Sequence, residues 1–199
     1  TASHNPKEYN GYKAYWADGA QIIAPHDVNI INHVERIKNV SDIKFKGNPD
    51  LIEIIGDKMD RDYLAAIKTL QLSPEIDKKY ANLKIVYTPI HGTGVKLVPA
   101  SLENYGFTNI IHVPEQDIPS GDFPTVDSPN PENASAMAMA VAKAKEVEAD
   151  LVVASDPDAD RCAVRGLCRH YTRNRNAHRH RHGQLRHGDA AGECAGVCE

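Results

Sequence analysis

The sequence predicts an α/β fold with a parallel sheet layered against helices, and three observations predict it. Short apolar strands alternate with helical segments from residue 83 onward. Two of those strands empty into loops with chemical potential, H-G-T-G at 91–94 and D-P-D-A-D at 156–160. In parallel sheets of this kind, ligand-binding groups gather at the carboxyl ends of strands. A chain of 199 residues with 41 % apolar content is also long enough for one or two ordinary domains with real cores.

The elements follow in order. The opening T-A-S-H-N-P-K-E-Y-N-G-Y-K has the broken character of a functional loop. Residues 11–16 alternate in β-rich fashion, and A-D-G-A turns into a short strand at 21–23, predicting a hairpin. Asp27 is placed as the N-cap of a helix over 27–38, with Val28, Ile31, Val34 and Ile37 at helical spacing. Residues 39–50, with Gly47 and Pro49, read as a connector; a second helix covers 61–70 before a boundary at Ser73-Pro74. Next come a strand at 83–90, the H-G-T-G loop and a helix over 95–105 closed by Gly106. A strand at 108–113, a Pro/Asp/Ser-rich loop at 114–131, an Ala-rich helix at 132–148 and a buried strand at 150–154 complete the alternation. Asn130 is expected to cap that Ala-rich helix, with Pro131 in its first turn.

Composition divides the chain. Every lysine lies at or before Lys145, whereas eight arginines and no lysine follow from Arg161 onward. All four cysteines (Cys162, Cys168, Cys194, Cys198) fall near the end. A cysteine-free body gives no sign of a disulfide scaffold and fits a reducing compartment. With no signal peptide and no membrane-length apolar run in view, the expected location is cytoplasmic. The formal charge of −4 argues for neither nucleic acid nor an anionic membrane as partner of the whole chain.

Asp156, Asp158 and Asp160 form an i, i+2, i+4 carboxylate series directly after a buried strand. Three hard oxygen donors in one loop suit a hard cation such as Mg²⁺, although on spacing alone they also fit a solvated acidic turn. An EF-hand counted from Asp156 would need Gly at Arg161 and Glu at Leu167, and has neither. Ser3 lies in an irregular segment without a G-x-S-x-G elbow, so a hydrolase triad has no support. A serine there also serves as cap or turn former, and spacing leaves it undecided. His4 and Lys13 could move a proton or balance a phosphate. H-G-T-G-V-K offers glycine backbone at a strand-to-helix junction, which suits either an anion or simply a tight turn; its spacing is not that of a Walker A loop.

Taken in order, T-A-S-H-N-P…N-G-Y-K, H-G-T-G, S-P-N-P-E and S-D-P-D-A-D-R resemble the α-D-phosphohexomutase family, closest to phosphoglucomutases and phosphomannomutases. The Y-K-A-Y-W-A-D-G-A-Q-I-I-A-P-H-D run is similar to the branch that includes phosphopentomutase-like members. The resemblance implies roles. Ser3 matches the phosphoserine that gives a phosphoryl group to a sugar monophosphate and recovers one from the bisphosphate intermediate. Asp156, Asp158 and Asp160 match the Mg²⁺ ligands, with a phosphoserine oxygen at Ser3 completing the site. Arg161 matches the arginine that follows those ligands near the phosphoryl group. Lys13 matches a lysine for proton transfer or charge stabilisation, and His4 the histidine beside the phosphoserine. The implied partners are a hexose monophosphate, glucose before mannose, and a sugar 1,6-bisphosphate, with no membrane.

The family is built from four domains, and the match implies the later part of domain I and most of domain II. The expected division is 1–50 with the phosphoserine loop, 51–82 as a connector helix region, 83–165 with the metal loop, and 166–199 as a tail. No counterpart of the G-E-x-S-G sugar loop or the R-x-S-G-T phosphate loop is present, so substrate-binding residues are unknown and little turnover by this chain alone is expected. Past Arg165 the text is Arg/His/Gly/Ala-rich without periodicity, which predicts a segment that is disordered, poorly packed or the product of out-of-frame translation. The alternative to the mutase reading is an interaction module whose tail binds nucleic acid through its arginines or zinc through Cys and His; no C-x₂-C pairing supports zinc.

Overall fold

A computed structural model describes residues 4–9 and 13–167, and the backbone of 193–198. Its centre is a five-stranded sheet in the order β2-β1-β3-β4-β5, formed by β1 (Ile85–Thr88), β2 (Ile110–His112), β3 (Leu151–Ser155), β4 (Cys162–Leu167) and β5 (Glu193–Cys198). The helices are α1 (His26–Glu35), α2 (Gly56–Lys68), α3 (Pro74–Lys79), α4 (Gly94–Tyr105) and α5 (Ala138–Glu146).

The expected parallel layer is β2-β1-β3, where Val86 stands opposite Ile111 on one side and Val152 on the other. Helix α4 crosses from β1 to β2, and α5 lies between β2 and β3 in the chain. The sheet is mixed overall, because β4 runs antiparallel to β3 and β5 antiparallel to β4. Connection length explains the reversal: only residues 156–161 separate β3 from β4, and a parallel crossover needs a dozen or more.

The core lies over this sheet. Val86, Val152, Ala154 and Ala163 pack with Ile90, Val113, Ala136, Met137, Ala140 and Ala144, all buried. Alanines on α5 let the helix sit close to the strands. Gly106, in the left-handed region at φ +106°, closes α4 as expected, where a side chain would be strained. Pro99 lies inside α4, within the second turn, without ending it.

Several boundaries differ from the sequence reading. Helix α1 begins at His26, so Asp27 lies in its first turn rather than at the cap. Its apolar stripe is real but exposed: Val28, Ile31 and Val34 are all more than half accessible. The expected hairpin reduces to one antiparallel bridge, Tyr15 to Gln21, because the turn bonds Trp16 N to Ala20 O and Ile22 N to Ala14 O suffice for its closure. Helix α2 starts earlier than expected, and α3 forms across the Ser73-Pro74 boundary, where Pro74 occupies the first turn without needing a donor. The Ala-rich helix starts only at Ala138; Asn130 caps a separate turn by accepting from Glu132 N at 3.0 Å.

The expected break at Arg165 also moves. Strand β4 continues through Leu167, and 193–198, expected to lack structure, forms an edge strand on it. Pairing with a free sheet edge uses backbone groups and requires no apolar pattern, so periodicity gave no signal. The remaining tail, including Cys168, lies outside the described residues.

Inside the core, the Tyr87 hydroxyl and Ser155 Oγ share a 2.8 Å hydrogen bond. Burial pushes the Tyr87 phenol up from 10.0 to about 12, against the smaller pull of Ser155. The unfolded chain ionises this phenol first, so its contribution to stability is intact below pH 10.0 and declines as pH rises to about 12. Tyr87→Phe should remove that decline, seen as a shallower loss of urea-unfolding free energy over this window. At neutral pH the variant should be about 1 kcal/mol less stable through the lost bond.

Candidate metal and phosphoryl-transfer site

The order β2-β1-β3 makes the chain turn one way after β1 and the other way after β3. Loops that leave neighbouring strands in opposite directions open a crevice, the favoured position for ligands in such sheets. H-G-T-G follows β1 and D-P-D-A-D follows β3, so the switch point lies between the two motifs.

The acidic loop is closed at its base by backbone. Asp156 N donates to Arg161 O at 3.2 Å, Ala159 N to Asp156 O at 3.0 Å, and Ala159 takes a left-handed φ of +59°. The reversal brings one carboxylate oxygen from each of Asp156, Asp158 and Asp160 within 4.8 Å of the others. Among the described residues this is the one group of three or more acidic, His or Cys side chains that could hold a metal ion. The carboxylates grade from floor to rim: Asp156 is 0 % exposed, Asp158 is mostly buried and Asp160 half open. Asp156 Oδ1 accepts from Arg161 N at 2.9 Å, which partly satisfies its buried charge.

Lys13 reaches this loop from the opposite end of the chain. Its Nζ donates to Asp158 Oδ2 at 2.8 Å and to Asp160 Oδ2 at 2.9 Å. Those bonds, Asp158 first, raise the Lys13 pKa well above the ordinary lysine value, so the side chain stays protonated at neutral pH. In this pairing it balances the charge of the two carboxylates.

Arg161 donates from Nη1 to Glu132 Oε1 at 3.1 Å, joining the acidic loop to S-P-N-P-E. From the same segment, Ser128 Oγ donates to the backbone oxygen of His4 at 3.3 Å. The opening loop, S-P-N-P-E and the acidic loop are therefore linked in series. Ser3 lies outside the described residues; His4, its neighbour, is half-buried.

H-G-T-G forms a tight turn. Gly92 N donates to Pro89 O at 2.9 Å, and Thr93 gives both N–H and O–H to Pro157 O, at 2.9 and 3.0 Å. The Thr93 amide is thus unavailable to an anion. Lys96 is likewise engaged: it pairs with Asp60 at 2.5 Å and Asp57 at 2.9 Å on α2, which push its pKa up to about 12. Sequence reasoning missed Ser128, Glu132 and Thr93 as connecting residues. Their partners lie from 29 to 124 residues away, and no local pattern marks them.

Both halves of the chain resemble known proteins. Residues 1–41 match the family model for phosphoglucomutase/phosphomannomutase, alpha/beta/alpha domain I, and residues 61–166 match the model for alpha/beta/alpha domain II. The chain is 38 % identical over 182 residues to a probable phosphoribomutase of Schizosaccharomyces pombe, covering 86 % of this chain and 31 % of that protein. It is 40 % identical over 174 residues to glucose 1,6-bisphosphate synthase of Homo sapiens, covering 84 % of this chain and 28 % of that one. A crystal structure of a putative phosphomannomutase from Thermus thermophilus shares the fold with a TM-score of 0.61 at 22 % identity, over 82 % of this chain and 35 % of that chain. The chain thus spans less than a third of the curated relatives' length. With both domain models matched in order and the motifs of each joined across the crevice, the chain belongs to the phosphoglucomutase/phosphomannomutase family.

Proposed function

We propose that this chain carries the phosphoserine loop and metal loop of a phosphosugar mutase that interconverts hexose 1-phosphate and 6-phosphate, glucose being the favoured sugar. The observation that carries the reading is the pairing of Lys13 with Asp158 and Asp160 across about 145 residues of chain, which brings the opening segment to the acidic loop. Residues 1–50 and 83–165 are taken as the parts of domains I and II that face each other there, joined through 51–82. The expected compartment is the cytoplasm; among the described residues no helix is long and apolar enough to cross a membrane.

In this reading, Ser3 carries the phosphoryl group. The Ser3 Oγ–P bond breaks as the free hydroxyl of a sugar monophosphate forms a new O–P bond, and the proton that this hydroxyl loses ends on the departing Ser3 Oγ, giving the sugar 1,6-bisphosphate and free Ser3. Transfer of the other phosphoryl group back to Ser3 completes the isomerisation. Phosphoryl transfer of this kind depends on positioning and charge more than on covalent assistance from the protein.

Asp156, Asp158 and Asp160 would hold Mg²⁺, and their hard, anionic oxygens fit it. When bound, the ion would supply Lewis-acid neutralisation of phosphoryl charge. Lys13 lies at the rim of the trio and, displaced from the carboxylates that take the ion, is available for charge stabilisation or proton transfer. Arg161 is held by Glu132 beside the loop, where it can contribute charge, and His4 positions the loop that carries Ser3 through its carbonyl bond to Ser128.

The full chain should bind Mn²⁺, used as a paramagnetic stand-in for Mg²⁺, and the triple variant Asp156→Asn, Asp158→Asn, Asp160→Asn should lose that binding. Retention of full affinity by the triple variant would reject the metal assignment. Lys13→Met, which frees two ligand carboxylates of a competing ammonium, should tighten Mn²⁺ binding about tenfold, the scale of one partly screened unit charge. Mass spectrometry after incubation with glucose 1,6-bisphosphate should find phosphate on Ser3 and none in Ser3→Ala. Little or no conversion of glucose 1-phosphate is expected without the rest of a four-domain enzyme.

A further inference from the structure

We propose that Gly92 and Thr93, in the turn after β1, are positioning residues that fix the acidic loop by gripping Pro157. The consequence for a bound cation rests on the metal assignment above; the mechanical claim does not.

The grip is close and specific. Thr93 delivers its amide and its hydroxyl to one acceptor, Pro157 O, at 2.9 and 3.0 Å. Gly92 lies so near that a Cβ there would stand 2.4 Å from Pro157 Cα and 2.7 Å from Pro157 O, and both are backbone atoms that cannot swing aside. The next residue extends the contact: a Cβ on Gly94 would stand 2.6 Å from the Tyr87 hydroxyl and 2.8 Å from Ser155 Oγ. Three consecutive residues therefore bear on Ser155 and Pro157, the two neighbours of the fully buried Asp156. Pro157 has no N–H, so its carbonyl is the one polar backbone group by which this residue can be held.

The turn that does the gripping is itself fixed from behind. Ile90 and His91 both take left-handed φ values, +46° and +61°, a conformation that persists only when surroundings enforce it. His91 is 3 % exposed. Its Nδ1 faces the carbonyl of Ile118 at 2.9 Å, and a carbonyl only accepts, so Nδ1 carries the proton. Its Nε2 then accepts from the Thr125 hydroxyl at 2.8 Å. Thr125 Oγ1 accepts from Gln116 Nε2 at 3.0 Å, and Gln116 Oε1 accepts from Thr88 Oγ1 at 2.7 Å. Thr88 Oγ1 in turn accepts from Ile90 N at 3.1 Å, which brings the chain of bonds back to the turn. Each side chain in it is bonded to the next, and a connected buried polar network of this kind confers rigidity. The rigid turn is a fixed post, and the metal loop is fastened to it.

The test compares the full chain with Thr93→Val, Thr93→Ser and Gly92→Ala. Thr93→Val keeps the shape and the amide bond but loses the hydroxyl donor; Thr93→Ser keeps both donors. Hydrogen exchange of the Asp156, Ala159 and Arg161 amides should quicken in Thr93→Val by about fivefold, the scale of one net hydrogen bond, and more in Gly92→Ala. Exchange in β1 and β3 should hold, and Thr93→Ser should behave as the parent. Mn²⁺ affinity should fall in the same order. Native loop exchange in both Thr93→Val and Gly92→Ala would overturn the proposal, as would a loss of protection spread equally over β1 and β3. If the parent chain takes up no Mn²⁺, the metal assignment fails and the exchange pattern alone decides the strut. If Gly92→Ala does not fold, Thr93→Val still decides it.

Discussion

A carboxylate with no solvent exposure must have its charge met by the protein, and Asp156 is such a group. The backbone N–H of Arg161, five residues on, is one partner it finds. That bond and the return bond from Asp156 N to Arg161 O close a loop too short to be anything but a reversal. From this one closure follow the antiparallel β4, the convergence of the three carboxylates and the placement of Arg161 beside Glu132. The charge that remains, on Asp158 and Asp160 nearer the rim, is what draws in Lys13.

The switch in strand order gives this loop its neighbour. Because β1 lies between β2 and β3, the turn after β1 stands next to the turn after β3, though the sequence separates them by more than 60 residues. The H-G-T-G turn presents no free amide of Thr93 to an anion and instead meets Pro157. Glycine at 92 is demanded by that close approach of two backbones, an origin unlike that of Gly106, which is demanded by a left-handed helix end.

Burial is distributed unevenly. The packed residues run from Ile85 to Ala163, whereas α1, α2 and α3 contain no buried residue. Helix α2 nevertheless has a defined seat on α4, made by Tyr105 hydroxyl to Ile67 O at 2.8 Å, Asn104 Nδ2 to Leu64 O at 2.9 Å and the Lys96 pairs. Polar contacts hold it where apolar burial is slight. The family models fall on either side of residues 42–60, the stretch that leads into α2.

Strand and helix identity from 83 to 155 was legible because local periodicity encodes it: the apolar run of β1, the Gly106 stop of α4 and the Ala-rich α5 each act within a few residues. The acidic trio was equally legible, since three carboxylates at alternate positions lie in one loop whatever the surrounding fold. The start of α5 was not, because Asn130 caps a turn instead, and neither was β5, whose pairing is a matter of main-chain geometry. By itself, then, the sequence determined the α/β class and the identity of the chemical groups, which depend on neighbours in the chain. Only the tertiary structure decided that Lys13 meets Asp158 and Asp160, that Ser128 meets His4 and that Thr93 holds Pro157. Each of those is a hydrogen bond between residues brought together by strand order and loop closure, and a hydrogen bond leaves no mark on either residue's local sequence.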